Sequence, residues 1–97
     1  MKNNTEGILI ELTVNNHPGV MSHICGLFSR RAYNLEKILC FPMENMTESK
    51  MWLLVKEESK LDQVIKQVEK LEDVRRLEYR RNSKAFFVQL EKLIENY

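Results

Sequence analysis

Residues 8–31 read ILIELTVNNHPGVMSHICGLFSRR, and this stretch decides the fold. Apolar residues occupy every even position from 8 to 14, which is the two-residue period of a strand with one face on a core. The apolar positions 20, 24, 27 and 28 then follow three- and four-residue steps, which predicts an amphipathic helix. The stretch therefore predicts a strand over 8–14, a short turn, and a helix over 21–31.

The turn at residues 16–20 has the residue types of a site for a small anion. Pro18 has a φ angle that suits the first helical turn, and Gly19 lets a ligand approach the backbone closely. The free N–H groups at the start of a helix favour a carboxylate. An ordinary connection with Asn15 or Asn16 as the N-cap explains the same residues without a ligand. The turn alone leaves both interpretations open.

The rest of the chain continues the alternation of strands and helices. Residues 35–43 and 51–56 are rich in apolar residues and flank a polar stretch, so they predict a hairpin. Ser59 and Asp62 resemble a capping box ahead of a second apolar helical face. Residues 74–80 alternate again as a fourth strand. The βαββαβ order predicts a ferredoxin-like α+β fold, a four-stranded antiparallel sheet with two helices on one face.

The pattern divides the chain into three parts. We expect a flexible N-terminus at 1–6, the βαββαβ domain at 7–81, and a C-terminal amphipathic helix at 82–97. That helix either covers the open sheet face of its own chain or docks on another protein. Apolar residues on the open sheet face favour a partner or a bound ligand. The expected partner-contact residues are Leu9, Trp52, Leu54, Phe86 and Leu90.

Length and charge exclude several classes of function. A chain of 97 residues holds one core and is too short for a large active-site cleft. Its 15 Lys and Arg nearly cancel its 14 Asp and Glu, so the net charge of +1 attracts neither nucleic acid nor an anionic membrane. The longest apolar run, 51–55, is too short to span a bilayer, and residues 1–7 lack a signal-peptide pattern. We therefore expect a cytoplasmic protein.

The residue pattern argues against catalysis and metal binding. His23 and Cys25 lie two positions apart on one helix and do not face each other. Cys25 and Cys40 lack metal-ligand spacing and are expected to be small buried hydrophobic residues in a reducing compartment. His17 is expected to be solvated rather than a pH sensor. An RNA-binding domain of the same strand order would need paired stacking aromatics at 50–55, which are missing. We expect no catalytic residue and no metal here.

Three segments, 16–20 (NHPGV), 25–31 (CGLFSRR) and 33–36 (YNLE), occur in this order on the βαββαβ pattern. Together with 52–55 and 70–74 they resemble the small regulatory subunit of acetolactate synthase (acetohydroxyacid synthase) in its short, single-domain form, which is an ACT domain. The resemblance implies a noncatalytic subunit that binds a branched-chain amino acid, typically valine, and both inhibits by feedback and activates the large subunit. Thiamine diphosphate, Mg²⁺ and FAD are then expected in the large subunit, with no cofactor here. An ACT module serving another amino-acid enzyme would carry the same turn.

The resemblance also implies which residues hold the effector between two copies of the chain. Backbone N–H groups of Gly19, Val20 and Met21 would hold the carboxylate, and side-chain oxygens of Asn16 and Asn34 would accept from the ammonium. An edge position for the second strand would let two copies pair through that strand and the first helix. The full expected set is Asn16, His17, Pro18, Gly19, Val20, Met21, Asn34, Ile38 and Cys40, with Val20, Ile38 or Cys40 as the apolar wall.

Overall fold

The computed structural model describes residues 7–56, 58–81 and 84–95, so the expected flexible segment 1–6 lies outside the described residues. The four strands form one antiparallel sheet in the order β2-β3-β1-β4. This arrangement confirms the predicted βαββαβ order and leaves β2 at a sheet edge. The elements are β1 (Gly7–Asn15), α1 (Val20–Arg30), β2 (Leu35–Pro42), β3 (Glu48–Lys56), α2 (Leu61–Glu69), β4 (Val74–Arg81) and α3 (Lys84–Glu95).

The main core lies between one sheet face and the helices α1 and α2. The even positions of β1 from 8 to 14 are buried there, as their two-residue period predicts. Each helix contributes a stripe at three- and four-residue steps, because residues at that spacing share a helical face. The buried stripes are Val20, Ile24 and Phe28 on α1, and Leu61, Val64, Ile65 and Val68 on α2.

The opposite sheet face is more covered than the sequence pattern predicts. Leu9 and Leu54 are each 1% exposed, and they pack with the half-buried side chains of Leu39 and Trp52. The Phe41 ring lies edge-on against Trp52, with 6.1 Å between the ring centroids. The expectation that Leu9 and Leu54 lie on an uncovered face is therefore wrong, because these apolar residues form a second, small core.

Helix α3 lies on this side of the sheet. Glu91 of α3 forms an ion pair with Lys37 of β2, and Lys37 pairs in register with Leu54, so the two share a sheet face. Phe86 and Leu90, which were expected to contact a partner, belong to α3, but their side chains lie outside what the structure describes. The ion pair shows that the tail folds back toward its own sheet.

Helix α2 begins without the capping box predicted from Ser59 and Asp62. Its N-cap residue is Lys60, and no side chain there bonds to the helix backbone. The N–H of Leu61 instead donates to the carbonyl of Glu58 at 3.0 Å. A backbone turn thus satisfies the first helical amide, and the prediction of a side-chain cap was wrong.

Candidate functional site

The connection from β1 to α1 contains a proline–glycine turn. Gly19 has φ 88° and ψ −11°, which are the values of the third residue in a type II turn. Pro18 precedes it at the position where that turn type favours proline. The N–H of Val20 donates to the His17 carbonyl at 3.4 Å and closes the turn. Pro18 therefore lies before the helix. The sequence-based expectation that it suits the first helical turn is wrong.

Helix α1 begins without a side-chain cap. Its N-cap residue is Gly19, so the alternative in which Asn15 or Asn16 caps the helix is wrong. The N–H groups of Met21 and Ser22 have no acceptor four residues earlier within the helix. Within residues 7–56, 58–81 and 84–95, neither group finds another acceptor. The turn thus presents two backbone donors at the positive end of the helix dipole.

The side chains next to these donors differ in accessibility. Val20 is 6% exposed and packs in the main core, which contradicts its expected place in the wall of an effector pocket. Val20 lies four residues before Ile24 and therefore shares the helical face that packs on the core. Met21 is 42% exposed, and a Cβ added at Gly19 would meet nothing within 4 Å. Met21 is therefore the apolar side chain that faces outward beside an open turn.

Asn16 ties the turn to the loop between β2 and β3. Its side-chain nitrogen donates to the Met46 carbonyl at 3.0 Å, and its backbone N–H donates to the Thr47 carbonyl at 2.9 Å. The Asn45 side chain in turn accepts from the N–H of Thr47 at 3.0 Å. These contacts orient the Asn16 amide and leave its side-chain oxygen as the atom that can accept from an ammonium group.

His17 is not simply solvated, which corrects the expectation from the sequence. Its Nδ1 lies 2.8 Å from the carbonyl oxygen of Pro18, and its Nε2 lies 2.7 Å from Oδ1 of Asp73. Both partners are acceptors, so the ring donates at both nitrogens when it is protonated. Two hydrogen bonds raise the pKa of His17, the one to the Pro18 carbonyl more than the one to Asp73. The hydrogen bond between His17 and Asp73 also lowers the pKa of Asp73. The pair favours a charged histidine.

Asp73 also holds the end of β1. Its backbone carbonyl accepts from the N–H of Asn15 at 2.8 Å, and its Oδ1 accepts from the Asn15 side chain at 3.1 Å. The side-chain oxygen of Asn15 accepts from Arg75 at 3.0 Å, and Arg75 lies 3.2 Å from Glu48. The β1–β4 register shifts at this point, which marks Arg75 as the extra residue of a β-bulge. A network of four side chains therefore buttresses the turn.

Asn34 lies at the other end of the sheet from the turn. It precedes β2, whose first residue Leu35 pairs with Val55, whereas the turn follows Asn15, which pairs with Glu48. The separation of Val55 and Glu48 along β3 places the two positions roughly 20 Å apart. Within one chain, the structure does not bring Asn34 to the turn.

The backbone that carries Asn34 is anchored on its N-terminal side. The Lys60 amine donates to the carbonyls of Arg31 at 3.0 Å and Ala32 at 3.3 Å, where Ala32 has a φ of 56°. The same amine lies 5.5 Å from the centroid of the buried Tyr33 ring. Lys60 thus fixes the connection from α1 to β2 and the position from which Asn34 projects.

Ile38 and Cys40 lie on the helix-facing side of edge strand β2, because they pair in register with the core residues Leu53 and Met51. Ile38 is 43% exposed, and Cys40 is half-buried against the core. Cys25 on α1 is also half-buried, and desolvation raises the pKa of both thiols. The cysteines are thus free thiols at the margin of the core, not fully buried residues as expected.

Two kinds of feature are missing from the described part of the chain. No group of three or more His, Cys, Asp or Glu residues there is arranged to hold a metal ion. Among the helices of that part, none has the length and apolar character needed to cross a membrane.

A four-stranded βαββαβ sheet with a proline–glycine turn leading into the first helix defines an ACT domain. The family described as AHAS small subunit-like ACT domain matches residues 10–76. The chain belongs to this family, the small subunits of acetolactate synthase. The resemblance drawn from the sequence motifs is confirmed.

Individual relatives agree with this assignment. The chain is 48% identical over 88 residues to the acetolactate synthase isozyme 1 small subunit of Escherichia coli (strain K12), covering 90% of this chain and 92% of that protein. It is 37% identical over 70 residues to the isozyme 3 small subunit, covering 71% of this chain and 43% of that one. The crystal structure of the acetolactate synthase small subunit from Thermotoga maritima superposes with a TM-score of 0.66 at 32% identity, covering 78% and 47% of the two chains.

Proposed function

We propose that this chain is the regulatory, noncatalytic subunit of an acetolactate synthase and that it binds a branched-chain amino acid, valine above the others, at residues 16–21. One observation carries the proposal, namely the uncapped start of α1 behind Gly19. The free N–H groups of Met21 and Ser22 are suited to the carboxylate, and the oxygen of Asn16 is suited to the ammonium. The names of its relatives support the choice of enzyme.

The proposed site needs two copies of the chain. Because Asn34 is roughly 20 Å from the turn of its own chain, it contributes only if a second copy supplies it. Strand β2 lies at the sheet edge, and antiparallel pairing of two β2 strands would bring the start of one strand beside the end of the other. That end of the sheet carries the turn. A two-fold axis through the paired strands then creates two equal sites.

The apolar wall of the proposed site differs from the sequence-based interpretation. Because Val20 packs in the core and its N–H closes the turn on the His17 carbonyl, the carboxylate is left to the N–H groups of Met21 and Ser22. The half-exposed side chains of Met21 and Ile38, with the margin of Cys40, supply the apolar surface for an isopropyl group. Ile38 and Cys40 lie on the same edge strand that would form the dimer, so the wall and the second copy's Asn34 meet there.

Regulation is proposed to occur by a shift of population. Valine inhibits if it binds one arrangement of the dimer and the large subunit more tightly than another. Such coupling is usually about 1–3 kcal/mol and is reciprocal, so the catalytic subunit must also change the affinity for valine. In this proposal residues 7–81 are the ACT domain and 82–97 a tail, the complex is cytoplasmic, and the large subunit holds the thiamine diphosphate, Mg²⁺ and FAD.

Calorimetry on the purified chain with valine, leucine and isoleucine tests the effector assignment. We expect measurable heat of binding with at least one of these amino acids, and valine should bind most tightly. In NMR spectra the backbone amides around Gly19 should change their chemical shifts. No heat and no shift with any of the three amino acids would refute it. Mixing with an acetolactate synthase large subunit tests the partner, and the expected result is co-purification with raised activity. Effector binding without that association would instead favour an ACT module for another amino-acid enzyme.

A further inference from the structure

Asp73 has no role among the site residues expected from the sequence, yet it makes contacts that hold the turn in place. It lies in the α2–β4 connection, 56 residues from His17 along the chain, and its Oδ1 contacts Nε2 of His17 at 2.7 Å. The same carboxylate oxygen and the backbone carbonyl of Asp73 accept from the side chain and N–H of Asn15. Asp73 therefore contacts the residues on both sides of Asn16, namely the last residue of β1 and His17 in the turn.

His17 connects this anchor to the effector-binding backbone. Its other ring nitrogen, Nδ1, lies 2.8 Å from the carbonyl oxygen of Pro18, the residue directly before Gly19. A neutral imidazole carries one N–H and can donate to only one of these two oxygens. Protonated His17 donates to both and links Asp73 to the peptide that precedes the N-cap of α1. The proton therefore completes a bridge from the α2–β4 connection to the turn.

We propose that Asp73 is a positioning residue for the effector turn, acting through protonated His17, so that binding of the amino-acid effector weakens as the pH rises. This inference rests on the proposed function, because it concerns the same turn. Loss of the proton leaves either the Pro18 carbonyl or the Asp73 carboxylate without the hydrogen bond from His17, and the bridge is broken at one end. The fraction of chains with the binding-competent turn then falls, and the apparent affinity falls with it.

The charged groups around the bridge favour the protonated histidine. Asp73 is the acidic group in direct contact with the His17 ring, and His23 on α1 acts on that carboxylate by electrostatics and lowers its pKa. Arg75 of β4 donates to the Asn15 side chain next to the bridge, and it forms an ion pair with Glu48 of β3. The pKa of His17 is raised from 6.5, so the bridge is intact below that pH and is lost as the pH rises through the raised value.

Proton NMR of the imidazole rings tests the bridge without any effector. The variants are Asp73→Asn and, as a matched control, Glu72→Gln, which removes one charge from the same connection. We expect His17 to titrate above 6.5 in the wild type and in the control, and closer to 6.5 in Asp73→Asn. Valine, if it binds, should raise the pKa of His17 further, because the coupling is reciprocal.

Calorimetry with valine near pH 6 and near pH 8.5 tests the consequence for binding. The affinity of the wild type and of Glu72→Gln should fall at least about fivefold at the higher pH, whereas Asp73→Asn should bind weakly at both. His17→Gln leaves the carboxylate in place and removes the titrating ring, so it should also lose the pH dependence; it provides the comparison if Asp73→Asn does not fold. A merely structural role for Asp73 would lower affinity without changing the pH profile.

Failure of the proposed function and failure of the present inference are distinguishable in these measurements. No heat with any branched-chain amino acid at either pH refutes the proposed function, and with it the link to effector binding. A pKa of His17 that is the same in the wild type and in Asp73→Asn refutes the bridge, whatever binds to the turn. Wild-type affinity that is equal at the two pH values also overturns the inference, while leaving effector binding itself intact.

Discussion

Replacing Gly19 by alanine perturbs the turn at its most constrained point. The φ of 88° lies in the left-handed region, where a side chain meets its own backbone, and an L-residue there is disfavoured by about 1–2 kcal/mol. A Cβ at this position meets no other atom within 4 Å, so packing neither adds to nor offsets this strain. We expect Gly19→Ala to lower the free energy of unfolding by about 1–2 kcal/mol.

Gly26 provides the matched control within the same helix. It lies in the middle of α1, a Cβ there also meets nothing within 4 Å, and its φ is not in the left-handed region. Alanine at this position gains helix propensity, so Gly26→Ala should raise the free energy of unfolding by about 0.5–1 kcal/mol. The same chemical change is thus expected to have opposite signs at Gly19 and Gly26, because backbone conformation alone distinguishes them.

Urea unfolding followed by circular dichroism, at one fixed protomer concentration, measures both values. For a domain of this size, each kcal/mol also moves the Tm by about 4–8 °C. Gly19→Ala should in addition weaken valine binding, because relief of the strain would turn the N–H groups of α1 away from their present direction. Equal stability of Gly19→Ala and the wild type, or a loss in Gly26→Ala as large as in Gly19→Ala, would refute the reasoning.

Three further expectations concern stability. Phe28→Ala should lower the free energy of unfolding by about 3–5 kcal/mol, because the ring is fully buried, whereas Leu93→Ala, at a side chain that is 68% exposed, should change it by less than about 0.5 kcal/mol in the same urea assay. Lys60→Met keeps the apolar stem but removes the donor to two carbonyls, so it should cost about 1 kcal/mol, and an unchanged urea midpoint would contradict that role. The stability due to the raised pKa of His17 is fully present below pH 6.5 and is lost as the pH rises through the raised value. His17→Gln should therefore flatten the decline in Tm on the alkaline side, and an identical decline in the variant would exclude this contribution.

Local patterns in the sequence predicted most of the fold. The alternation over 8–14 and the helical stripe after residue 20 each depend on neighbouring residues, so the elements and their order follow from them. The edge position of β2 then follows from the known arrangement of βαββαβ sheets. The burial of Leu9 and Leu54 did not follow, because it depends on how they pack with Leu39 and Trp52 across three strands.

The candidate site was only partly predictable, for a similar reason. The proline–glycine pair identified the turn, and the type II geometry at Gly19 is a local property of that pair. The inward direction of Val20 follows from its spacing with Ile24, which could have excluded it from the pocket wall. The contact between His17 and Asp73 joins positions 56 residues apart, and a bulge aligns the strand beside it. No local pattern encodes such a contact.

The central claim is that each effector site takes its turn from one copy of the chain and Asn34 from the other. Asn16→Ala and Asn34→Ala should each abolish or strongly weaken valine binding as homodimers, because every site then lacks one polar partner. Mixing equal amounts under conditions of subunit exchange should restore wild-type affinity at about one quarter of the sites, since half the dimers are mixed and each mixed dimer has one intact site. Calorimetry of the exchanged mixture measures this fraction directly. A mixture that binds no better than its two parents would contradict the account.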